Sequence, residues 1–118
     1  MSKVIQAVNA MLSKTELISN VIKSGNEYFF LYKNKYKWSI SHDENDDQYF
    51  LYFYPGPETF NELVSISGRS WGEVDKIVYP SRDLGGKEAH DTLKELYTNV
   101  KEMLYGVDKV LDDIISDF

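Results

Sequence analysis

The chain contains no cysteine, only two histidines and only three prolines among 118 residues. The first absence excludes disulfide frameworks, thiolate metal sites and cysteine nucleophiles. The histidines, His42 and His90, lie too far apart to form a metal-binding pair at helical spacing. No run of 18 apolar residues occurs, so no transmembrane helix is expected. The opening Met-Ser-Lys-Val-Ile-Gln lacks the apolar stretch and small-residue cleavage pattern of a secretory signal. These absences lead us to expect a soluble, cytoplasmic protein with no membrane association, no metal and no other cofactor.

Positive charge is also in short supply. The net charge is −6, unevenly placed. Residues 1–42 carry six lysines against Glu16 and Glu27, a net of +4, whereas residues 43–118 carry seven basic groups against seventeen acidic ones, a net of −10. Nonspecific nucleic-acid binding rests on neutralising phosphates and releasing counterions, so this balance argues against a nucleic-acid partner. A protein with a basic surface is the partner that the charge favours.

What the chain has in abundance is aromatic residues, concentrated in Tyr28–Tyr32, Tyr36–Ile40 and Tyr49–Tyr54. Aromatic and β-branched side chains suit a pleated surface, so three strands are predicted. The charged connection His42–Gln48 and the terminator Pro55-Gly56-Pro57 make them an antiparallel meander. A two-residue Asn34-Lys35 turn between the first two strands is the preferred reading. It puts Phe29 and Leu31 beside Tyr36, Trp38 and Ile40, and leaves Tyr28, Phe30, Tyr32, Lys37, Ser39 and Ser41 on the other face.

Helical periods flank this sheet. Val4, Val8, Met11, Thr15, Ile18 and Ile22 recur at steps of 4 and 3, predicting an amphipathic helix that Gly25 closes. Leu93, Leu96, Val100, Met103, Val107, Val110 and Ile114 form a heptad seam. One helix from about Glu88 to Asp117 would be about 45 Å long, unless Gly106 kinks or divides it. A short helix over Glu58–Val64 and a fourth strand over Ile77–Tyr79 complete the pattern. Together they predict a single α+β domain over residues 1–118: an antiparallel meander of three to four strands, with an N-terminal helix and a long C-terminal helix packed on one sheet face.

Three short strings resemble sites of known families. Gly68-Arg69-Ser70-Trp71-Gly72, followed by Asp75, Asp83 and His90, resembles the nucleophile elbow and triad order of α/β-hydrolases. That family needs strand–helix crossovers to a parallel sheet, whereas a meander precedes Ser70 here, so the string reads as a loop. Asp43-Glu44-Asn45-Asp46-Asp47 is similar to the start of an EF-hand loop, but Gln48 and Tyr54 stand where the turn glycine and bidentate glutamate belong. It reads as a solvated hairpin tip. Gly86-Lys87-Glu88-Ala89 resembles the second-helix start of double-stranded RNA-binding domains, and the acidic Glu88 and Asp91 oppose that match.

The function expected is therefore a non-catalytic protein-interaction module, a small acidic inhibitor or regulator that binds a basic surface of a partner protein. Its candidate partner-binding residues are Asp108, Asp112, Asp113 and Asp117 on the last helix and Tyr28, Tyr32, Tyr52 and Tyr54 on the sheet. No catalytic or metal-ligating residue is assigned, and the C-terminal seam offers a route to a homodimer. The alternative is a small-ligand-binding or hydrolytic domain with its site between the Tyr-rich sheet face and the Ser70 loop. The sequence leaves open whether residues 57–85 cover that face.

Overall fold

A computed structural model of the chain describes residues 2–66 and 74–116. Helix α1 (Lys3–Ser13) starts where the Ser2 side chain accepts a hydrogen bond from the Ile5 amide at 3.3 Å. It buries Ile5, Val8 and Met11, and it stops at Lys14. A single 3₁₀ turn, Thr15–Leu17, leads into strand β1, Ile18–Ser24.

The helix predicted through Ile22 is thus shorter, and its second half is a strand. The physical reason is a β-bulge. Between Ser19 and Ile22 the pairing with the next strand slips, and Asn20 takes a positive φ of 55°. The extra residue puts Ile18 and Val21 on the same side of the sheet, both packed in one core. Three-residue spacing on one face imitates a helical period.

Strands β2 (Glu27–Tyr32), β3 (Tyr36–Asp43), β4 (Gln48–Tyr54) and β5 (Ile77–Pro80) follow, and the five form one antiparallel sheet in chain order. The α+β architecture agrees with the sequence reading, with five strands in place of three to four. The register between β2 and β3 differs from the preferred one. Tyr32 pairs with Tyr36, Phe30 with Trp38 and Tyr28 with Ile40, because the loop has three residues, Lys33, Asn34 and Lys35, with Lys33 and Asn34 at positive φ. An odd loop exchanges the faces. Tyr28, Phe30, Tyr32 and Ile40 therefore line the main core together.

That core lies between one sheet face and the helices α1 and α3 (Lys87–Tyr105), where Val8, Phe30, Ile40, Leu51, Leu93, Leu96 and Val100 are wholly buried. A second, smaller core forms on the opposite face. Helix α2 (Phe60–Ile66) sets Phe60 and Leu63 against Phe29 and Tyr54, with Val74 beside them. Lys37 helps to fasten this side by donating from Nζ to the backbone carbonyls of Gly56 and Glu58. Part of the 57–85 segment thus covers the second sheet face.

The predicted terminal helix is divided. Gly106 adopts the left-handed conformation (φ 63°, ψ 35°), and its N–H bonds back to the carbonyls of Glu102 and Met103, closing α3. Helix α4 (Val107–Ser116) then starts afresh, and none of its ten residues is buried. The chain measures 51 × 33 × 29 Å with a radius of gyration of 14.9 Å. That exceeds the roughly 13.5 Å expected of a compact domain this size, as a helix carried outside the core requires. Among the described residues no helix is long and apolar enough to cross a membrane.

Candidate functional site

Three groups of side chains could carry function. The first brings both histidines together. His42, at the end of β3, places Nε2 2.9 Å from Asp47 Oδ1, and His90, in the first turn of α3, places Nε2 3.2 Å from Asp47 Oδ2. Two imidazoles thus flank one carboxylate on the β3–β4 loop. Hydrogen bonding to His42, then to His90, holds the Asp47 carboxyl below the usual aspartate range.

The His42 ring stacks on Tyr49 at 4.3 Å, and Tyr97 meets Tyr49 edge-on at 5.5 Å and Tyr28 at 5.3 Å. Burial pushes the Tyr49 and Tyr97 phenols up, so neither is a ready nucleophile near neutral pH. Beside this group lies a cleft of about 620 Å³ whose walls mix Lys23 and Lys101 with Asp43 and Glu44, so neither sign of charge prevails. No group of three or more His, Cys, Asp or Glu side chains suited to a metal ion occurs among the described residues.

The second group lies under α2. Ser39 donates to Glu27 Oε2 at 2.9 Å and stands 2.8 Å from the Tyr54 hydroxyl, which is 3.4 Å from the same carboxylate. Burial is the main cause that raises the Glu27 carboxyl, and burial also drives the Tyr54 phenol far upward. Ser39 is wholly buried and Tyr54 is 1% exposed, so no substrate reaches these hydroxyls. The cluster satisfies polar atoms inside the second core.

The third group is α4. Val110, Leu111, Ile114 and Ile115 are 54%, 49%, 56% and 65% exposed. Asp108, Asp112 and Asp113 are exposed on the same helix. A groove of about 630 Å³ lies at its root, lined by Met103, Tyr105, Gly106 and Val107 with Thr15 and Asn99.

The predicted partner-binding residues divide accordingly. Asp108, Asp112 and Asp113 share one exposed helix, while Asp117 and the Gly68–Gly72 string with Ser70 lie outside the described residues. The four tyrosines do not share a face. Tyr28 and Tyr32 line the main core, whereas Tyr52 and Tyr54 lie on the α2 side. Tyr28, Tyr32 and Tyr54 are buried, which removes them from any partner-facing surface. The register exchange and the cover by α2 account for this correction.

Sequence reasoning missed the His42–Asp47–His90 contact, for which no sequence signal exists, since a charged loop and 42 intervening residues separate Asp47 from His90. It also passed over Leu111 and Ile115, although their positions beside Val110 and Ile114 are the mark of a broad helical stripe. Compared with known proteins, the chain matches no family model, no curated protein and no solved structure.

Proposed function

We propose that the protein is a non-catalytic interaction module, a small acidic inhibitor or regulator that works in the cytoplasm by engaging a basic surface of a partner protein. One observation carries this reading: α4 holds Asp108, Asp112 and Asp113 at the surface alongside four large apolar side chains, each about half exposed or more. A cluster of exposed aliphatic side chains on one short helix marks a contact surface more often than a solvated face. The acidic groups would steer a basic partner from a distance and lose strength as salt rises.

Ser39 and Tyr54 are sealed from solvent, which supports a non-catalytic role for their cluster.

Affinity capture from the native host at low and high salt tests the proposal. One specific protein should be retained at low salt, released at high salt, and lost from the Asp112→Lys/Asp113→Lys variant. Equal retention by that variant would remove the acidic surface from the account.

A further inference from the structure

Helix α4 has a stripe of defined shape. Val107, Val110, Leu111, Ile114 and Ile115 follow one another at steps of 3, 1, 3 and 1. At 100° per residue they occupy an arc of about 140°. On the same wheel Asp108 borders the stripe next to Ile115, Asp113 borders it next to Val110, and Asp112 lies just outside Asp108. Lys109, the helix's one basic residue, points the opposite way. The stripe therefore has an acidic margin on both sides.

Three occupants could cover such a stripe, and charge separates them. A second copy of α4 laid face to face, parallel or antiparallel, sets acidic margin against acidic margin, and each Lys109 lies too far round to intervene. Area is against it as well. The exposed stripe amounts to on the order of 400 Å², about half of the roughly 800 Å² that each partner gives to a standard interface. A bilayer surface is opposed by the same acids, since helices that lie on membranes carry Lys and Arg beside their apolar face. A groove with an apolar floor and basic rims satisfies both the stripe and its margins, and it adds contact with the helix flanks.

We propose that α4 is a groove-binding helix. Val107, Val110, Leu111, Ile114 and Ile115 insert into an apolar groove of a partner protein, and Asp108 and Asp113 pair with Lys or Arg on its two rims. This rests on the reading of the chain as an acidic interaction module and adds the mode of binding. Gly106 gives the helix its independence, because its left-handed conformation ends α3 and lets α4 start as a separate element outside the core.

The test uses the full chain in its host with a photo-crosslinking amino acid in place of Ile115 or, as the opposite-face control, of Lys109. The crosslinked protein is identified, purified and titrated against wild type, Leu111→Asp/Ile114→Asp and Asp108→Lys/Asp113→Lys. All of these positions are exposed, and circular dichroism checks the fold. The expected result is one heterologous product from position 115 and none from 109. Affinity should fall at least a hundredfold for the apolar pair and about tenfold for the acidic pair, with a shallower salt dependence for the latter. A crosslink to a second copy, co-sedimentation with phosphatidylserine vesicles, or no product at 115 overturns the groove. If the acidic pair weakens binding and the apolar pair does not, the groove fails and the interaction module stands. If neither pair matters, both fail.

Discussion

His90 reaches from the first turn of α3 to within 3.2 Å of Asp47, on the loop that joins β3 to β4. A helix and a hairpin tip that are distant in sequence are thereby tied at one carboxylate, which His42 holds from the other side at 2.9 Å. The tie depends on Asp47 being ionised. Because its carboxyl is held below the ordinary aspartate value of 3.8, the stabilisation is fully present above that value and disappears as pH falls through the lower, folded-state value. Amide hydrogen exchange of residues 42–49, followed from pH 6 into the acid range, should show protection lost on acidification. In Asp47→Asn protection should be weak throughout. An acid transition unaltered in that variant would separate Asp47 from hairpin docking.

Glu27 has the opposite sign. Burial raises its carboxyl above the ordinary glutamate value of 4.5 despite hydrogen bonds from Ser39 and Tyr54 and the positive charge of Lys76. The folded protein then binds the proton more tightly than the unfolded chain, so this group favours the fold at low pH and opposes it as pH rises through the folded-state value. Glu27→Gln should raise Tm at pH 7, and the advantage should shrink as pH drops through the carboxylate range. A lower Tm at pH 7 would mean that the ionised carboxylate is needed by the hydroxyls around it.

The two cores and the outer helix differ in what a truncation removes. Leu63 is wholly buried against Phe29 and Tyr54, so Leu63→Ala should cost about 2–5 kcal/mol in denaturant unfolding. Leu111 is 49% exposed on α4, and Leu111→Ala should change stability by no more than about 0.5 kcal/mol. Similar values for the two would contradict the separation of α4 from the core.

Gly106 sits at φ 63°, and a Cβ added there would meet nothing within 4 Å. The cost of Gly106→Ala is therefore conformational, about 1–2 kcal/mol for an L-residue held in the left-handed region. Denaturant unfolding measures it. If the variant is instead more stable, with more helix by circular dichroism, the two helices have fused into the single rod that the heptad spacing suggests.

The meander was legible because Tyr28–Tyr32, Tyr36–Ile40 and Tyr49–Tyr54 concentrate the residues that suit a pleated sheet, and Ile77–Tyr79 marked a fourth strand, which extends to Pro80. The lost features were those set by one residue of phase. Asn20 in the bulge and Lys33 in the loop each add a residue that no periodicity records, and between them they hid β1 and exchanged the sheet faces. In the candidate site the acids of α4 were visible as composition. The exposure of the stripe was not, because Val110 and Ile114 continue the same spacing as Leu93 and Leu96, which are wholly buried. Only the change of direction at Gly106 separates the two sets.

Strand β1 forms one margin of the sheet, and its irregular pairing at Asn20 has an effect on encounters with other chains. A visiting strand needs a straight ladder of free amides and carbonyls to dock, and a kinked border with Lys23 standing on it does not offer one. At the other border, Pro80 withholds an amide. Each rim of the sheet thus carries an interruption, a bulge on β1 and a proline on β5, that disfavours the regular ladder fibril-like growth needs.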